Sequence, residues 1–245
     1  MKKILALVMA LALVVCASFA LAEGTPVMSH EEYVNAAIDD EVCVEAYVQG
    51  HQAWWAKDGV GRMTLYLQAE DGAYFAYEVL MEEEDSFKLT DGTKIRIEGI
   101  KAEWSGEVEI IDAKFEILDA EPWIAEPEDV TALLGDETLA DHINEKITIK
   151  GAKIVASTVE GQDGEFPFLY SWDGSGSSDA NSDLYFKIEV GGQVYTVTVE
   201  SYLCDNTTDV YKAVEALKIG DKVDLEGFLY WYNGANPHIT AVAAA

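Results

Sequence analysis

The chain has 245 residues, with 45 acidic against 16 basic side chains, a formal charge of −29 and 49% hydrophobic residues. So negative a surface repels phosphate backbones and anionic lipid, and favours cations, basic partners or neutral ligands. The apolar share, rich in Val, Ile and Tyr, argues for packed cores and excludes a disordered chain.

Lys2 and Lys3 precede an apolar run from Ile4 to Val15, and Ala20-Leu-Ala22 fits a small-x-small cleavage site. Residues 1–22 therefore read as a bacterial-type secretory signal, with a hydrophobic stretch too short for a good membrane span. Leu13-Val-Val-Cys16 comes near a lipobox, but Val15 stands where Gly, Ala or Ser is wanted, so lipid anchoring at Cys16 is not expected. The expectation is a secreted or cell-envelope protein with no transmembrane segment in its mature chain. Two cysteines then remain, Cys43 and Cys204, one in each half, and the spacing predicts two isolated thiols.

In the first half, Ser29-His-Glu-Glu-Tyr33 predicts a short capped helix, serine first and glutamate three residues on. Strands are expected over 41–50, 62–69 and 73–80, with Glu70-Asp-Gly72 as a hairpin turn and a loop over 51–61 carrying Trp54 and Trp55. An acidic stretch, 81–88, predicts one brief helix before a fourth strand in the 89–99 motif, where Ile95 and Ile97 share a face, and a fifth over 107–118. A linker over 119–129 holds Pro122 and Pro127, which favour an extended connection.

The second half starts at residue 130 and follows the same order. A strand begins at Lys146, and a Gly/Ser/Asp-rich segment over 157–182 reads as a long exposed loop. Leu184-Tyr-Phe186 echoes Leu65-Tyr-Leu67, Gly191-Gly192 replaces the Asp-Gly turn, and a helix over 205–217 with Asp205 or Asn206 as its cap precedes two closing strands. Gly92-Thr-Lys-Ile-Arg-Ile-Glu-Gly99 recurs as Gly220-Asp-Lys-Val-Asp-Leu-Glu-Gly227, and Trp104-Ser-Gly106 as Tyr232-Asn-Gly234, all at one constant offset. The chain is an internal duplication.

Each copy reads β-β-β-α-β-β, with a glycine punctuating strands one and four. That order and the repeated Gly-Asp/Thr-Lys motif resemble the OB-fold superfamily, most closely the anticodon-binding-like domains and their exported bacterial relatives. The resemblance covers nearly all of both copies. It implies an all-β protein with short helices: two tandem five-stranded barrels, residues 23–118 and 130–245, joined by the 119–129 linker. Each barrel is expected to stand alone, with the linker setting their relative pose.

OB folds take ligands on the strand 2–3 face, between the loop joining strands one and two and the loop joining four and five. Aromatics fall at those places. Trp54, Trp55, Tyr66 and Trp104 in the first copy, and Tyr170, Trp172, Tyr185 and Trp231 in the second, are the candidate ligand-binding residues. Aromatic faces stack on bases or sugar rings, but small barrels also need bulky residues to fill their interiors. The basic residues near the first platform, Lys57, Arg62 and Lys101, face Asp58, Glu70, Asp71 and Glu103. This balance speaks against nucleic acid and for a carbohydrate, an envelope polymer or a protein, with single-stranded nucleic acid as the alternative.

Asp179, Asn181 and Asp183 imitate the start of a calcium loop, but Leu184 and Val190 stand where such a loop needs glycine and glutamate. His30, His51, His142 and His238 are scattered, with no HExxH motif and no serine elbow. No catalytic residue, metal ligand or cofactor is expected, and the expected activity is binding.

Overall fold

The computed structural model describes residues 25–159, 161 and 163–245. The secretory-signal reading and Cys16 fall outside the described residues. Among those described, no helix is long and apolar enough to cross a membrane.

The first copy comprises α1 (His30–Asn35), β1 (Glu41–His51), β2 (Trp55–Lys57), β3 (Val60–Ala69), β4 (Gly72–Leu80), α2 (Glu83–Ser86), β5 (Lys94–Trp104) and β6 (Glu107–Ile117). The sheet runs β1-β5-β6-β4-β3, and β3 pairs back to β1 to close a five-stranded barrel, with β2 added at the hairpin end. The second copy comprises β7 (Glu128–Asp129), β8 (Lys146–Val155), β9 (Leu169–Tyr170), β10 (Leu184–Val190), β11 (Gln193–Val199), α3 (Asp209–Glu215), β12 (Lys222–Phe228) and β13 (His238–Ala244). It closes in the same order, β8-β12-β13-β11-β10 and back to β8. This is the strand order of a tandem OB fold.

Alternation fills each interior. Val42, Val44, Ala46 and Val48 of β1 meet Leu65, Leu67, Ile95 and Ile97 inside the first barrel. Ile147, Ile149, Leu184, Phe186 and Val197 form the matching core of the second. The repeated glycine motif has a mechanical reason. Gly92, at φ 87°, donates to the Val48 carbonyl at 2.7 Å, while Val48 donates to the Thr93 carbonyl at 2.9 Å. Gly220, at φ 97°, repeats this on Ile154 at 2.8 Å, with Ile154 donating to Asp221. Each motif thus ties the start of strand four to the first strand of its own barrel.

Some elements differ from expectation. The 205–217 helix is confined to Asp209–Glu215 and capped by Thr208, whose hydroxyl accepts from Tyr211. Asp205 instead closes the preceding turn, its carboxylate accepting from the Thr207 N–H at 2.9 Å. The 157–182 segment is not one open loop, because Ser157 pairs with Phe166 and β9 pairs with β10. The linker is fastened along its length. Trp123 tilts against Tyr47 at 5.3 Å, buried Ala125 donates to the Gln49 side chain at 2.8 Å, and β7 joins β8 in parallel. Cys43 and Cys204 are both free and buried.

Candidate ligand-binding cleft

Period-two alternation puts Tyr66 of β3 and Phe75 of β4 on the outside of the first barrel, on the strand 2–3 face. That face is covered. Tyr66 stacks on Phe228 at 4.5 Å, Phe75 meets Tyr230 edge-on at 5.3 Å, and the three rings Tyr66, Phe75 and Phe228 form a small buried cluster between the barrels. The Tyr66 hydroxyl is hydrogen-bonded to His238 Nδ1 at 2.7 Å, and both side chains are buried. Around this patch the Lys146 N–H donates to Gln68 Oε1, Trp231 N–H to Glu107 Oε2, Ala53 N–H to the Tyr202 carbonyl, and Asn233 N–H to the Ser105 carbonyl. The expectation of self-standing barrels posed by their linker is therefore corrected. An apolar seam with a polar rim joins them.

The corresponding face of the second barrel stays open. A cleft of about 1080 Å³ lies over β10 and β11, between the loop after β8 and the loop joining β12 to β13, with the first barrel as its far wall. Its walls are aromatic: Tyr77 and Trp104 from the first barrel, Trp172, Tyr185, Tyr230 and Tyr232 from the second. Trp104 and Trp172 expose 62% and 75% of their surface. His238 stacks on Tyr230 at 4.1 Å at the edge of the seam, and burial holds its pKa down to about 3, so the ring is neutral.

Three carboxylates line the same space, Glu109, Asp183 and Glu200, against one cation, Lys187. Burial, then the neighbouring Asp183 charge, pushes Glu200 up to about 7, opposed by the backbone N–H groups of Tyr202 and Leu203 and by the Gln52 amide. Burial and the Asp183 charge also raise the Tyr185 phenol to about 12, and burial followed by Glu78 raises Glu109. The arrangement suits stacking of a flat ring and acceptance of hydrogen bonds from its donors. Among the described residues, no group of three or more His, Cys, Asp or Glu side chains is placed to hold a metal ion. In the Asp173–Asp183 segment, Asp173, Asn181 and Asp183 accept from the N–H groups of Ser175, Asn206 and Ser201.

Of the residues singled out by sequence, the cleft brings together Trp104, Trp172 and Tyr185. Trp54 packs on the first core and donates its Nε1–H to the Met81 carbonyl at 3.3 Å, and Arg62 lies over the Trp55 ring at 5.5 Å. Tyr66 belongs to the seam. Tyr170 packs against the second core and donates to Glu215 at 2.7 Å, and Trp231 lies against Gly106 at the rim. The cleft carboxylates, Gln52 and Lys187 were not anticipated, because nothing local distinguishes them in so acidic a chain.

No known protein family and no curated protein matches the chain. It is similar to a murine DNA-binding protein solved bound to double-stranded DNA, at 11% identity over 83% of this chain and 96% of that one, TM-score 0.37. It is similar to the p204 HINb domain, at 10% identity over 86% and 100% of the two chains, TM-score 0.36. A deletion mutant of the Thermus aquaticus single-stranded DNA-binding protein gives 11% identity over 84% and 93%, TM-score 0.28. The strand order, not these likenesses, carries the fold. The expectation that set nucleic acid aside as a partner is corrected, since the solved neighbours include proteins named for DNA or held with it.

Proposed function

We propose that the chain is a non-catalytic binding module with one open ligand face, the cleft on its second barrel, and that this cleft holds a single nucleic-acid strand through its bases. The observation that supports this reading is the cleft's position. It lies on the sheet face and between the two loops with which OB folds take oligonucleotides, and aromatic rings wall it. A base stacked on such a ring gains about 1–3 kcal/mol. With Lys187 as the cation lining the cleft, recognition runs through bases and not through the phosphate backbone.

The test is a tryptophan-fluorescence titration of the chain with oligothymidylate. Quenching is expected, and raising salt tenfold should weaken binding only about fivefold, the slope of roughly −0.7 for one phosphate contact on a single strand. A double variant, Trp104→Ala with Trp172→Ala, should lose the response while keeping its thermal transition. No quenching at low salt sinks the nucleic-acid reading.

A second reading is favoured by Glu109, Asp183 and Glu200. An acid-rimmed aromatic cleft, on a chain whose first residues read as a secretory leader, also suits a carbohydrate, an envelope polymer or a basic protein segment. It predicts silence with the oligonucleotide, and a response to a neutral glycan or a lysine-rich peptide that the same double variant abolishes.

A further inference from the structure

Glu107 opens β6 in the first barrel, yet its carboxyl reaches the second. It is fully buried, and its Oε2 accepts from the Trp231 N–H at 2.8 Å. Its other oxygen, Oε1, has no partner. Near it is Asn144, the residue that leads into β8; its amide nitrogen donates across the seam to the Val108 carbonyl at 3.4 Å, and its Oδ1 is also buried without a partner. A buried acceptor left without a partner is costly as it stands, because it forfeits its hydrogen bond to water, and an ionised carboxyl costs the most. A proton removes the buried charge and turns the orphaned oxygen of Glu107 from an acceptor into a donor.

We propose that Glu107 is a protonated latch across the seam, a neutral carboxyl whose Oε2 holds the Trp231 N–H in the closed state, so that closure of the two barrels onto each other weakens as pH rises. The proposal concerns the seam behind the cleft and holds whichever ligand the cleft takes.

The surroundings agree with the geometry. Burial is the main influence on Glu107 and pushes its carboxyl up to about 8, with Glu109 on the same strand adding to the rise. Asn144 and the Trp231 N–H oppose it without cancelling it. The other titratable groups that face it are phenols, Tyr33 from α1, Tyr66 from β3 and Tyr230 from the second barrel, each raised above its ordinary value by burial first. Lys101, over the Tyr33 ring at 5.1 Å, spends its ammonium on the carbonyls of Tyr33, Val34 and Ala36.

The sign follows from the proton balance. With the seam closed Glu107 keeps its proton to about 8, and in water it loses it near 4.5. The closed state therefore binds the extra proton between those values, so closure is strongest below 4.5, weakens about tenfold per pH unit above it, and levels off past 8. The test compares the full chain with Glu107→Gln, whose amide has nearly the same shape and is neutral at every pH. Urea unfolding at pH 5, 7 and 9 should show wild type and variant alike at pH 5. By pH 9 the variant should be the more stable by a factor on the order of a thousand. Carboxyl NMR of the glutamate-labelled wild type should show one resonance titrating near 8 that the variant lacks, while the Glu200 resonance near 7 persists in both. Parallel pH profiles, a variant that does not fold at pH 5, or no such resonance overturns the latch.

Discussion

At Gly99 and Gly227 the strands of both barrels bulge, and each glycine sits where the next strand crosses most closely. A Cβ at Gly99 would stand 2.7 Å from the Ile111 carbonyl oxygen, and one at Gly227 would overlap the His238 carbonyl. Neither obstacle is a flexible side chain, so the backbone itself has to move. Gly227→Ala should therefore destabilise the chain by about 1–3 kcal/mol, the usual cost of overpacking, read as a lower urea midpoint with unchanged slope. A change within 0.5 kcal/mol would mean that β13 gives way more easily than its contacts imply. The motif was legible for this reason: close backbone approach leaves a mark at single positions, and the duplication repeats the mark. The cleft acids left none. Glu109, Asp183 and Glu200 become a group only when β6 of one barrel is folded against β10 and β11 of the other.

The two copies differ most in the element between strands three and four. In the first barrel α2 is a single turn with three acids and no side-chain cap, and it buries Ser86. In the second, α3 has a capping Thr208 and inserts Val210, Tyr211 and Val214 into the core, with the Tyr211 hydroxyl donating to the Ser182 carbonyl. The period of the apolar residues made α3 visible in sequence, but its start was misplaced. Asp205, Asn206, Thr207 and Thr208 are all capping residue types, and local chemistry cannot rank them. The Asp205 carboxylate is engaged by Thr207, which leaves the helix to Thr208. Thr208→Ala should cost about 1 kcal/mol. Asp205→Ala tests the assignment from the other side: it removes the turn's acceptor and should leave helix content by circular dichroism unchanged. If Asp205→Ala lowers helix content more than Thr208→Ala does, the cap is misassigned.

At the scale of the whole molecule the seam decides what each barrel is for. The two barrels share one strand order and one repeated motif, yet one uses its strand 2–3 face as glue and the other leaves it open. Alternation showed that Tyr66 and Phe75 point outward. It could not show what they meet, because Phe228, Tyr230 and His238 lie more than a hundred residues away and reach them only through the packing of two closed barrels. Trp54 and Trp55 drew attention for the opposite reason: large apolar rings in a loop look exposed until the hairpin folds Trp54 onto Met81.

A seam built from three buried rings and a rim of hydrogen bonds donated by backbone N–H groups should make the barrels unfold together. Phe228 is its centre, stacked on Tyr66 and nearly inaccessible. Truncating a buried phenylalanine to alanine costs about 3–5 kcal/mol, and at this position much of the loss falls on the contact between barrels and not on either core. Calorimetry of the wild type should therefore show one transition whose van't Hoff and calorimetric enthalpies agree, while Phe228→Ala should resolve into two. If the wild type already melts in two steps, the barrels are independent and the cleft between them is not a fixed site. If Phe228→Ala melts in one step at a lower temperature, the polar rim alone couples them. A single wild-type transition split by one ring at the seam would mean that the cleft's far wall, with Tyr77 and Trp104 on it, is held rigid before any ligand arrives. Binding would then not have to meet the entropy of bringing two domains together.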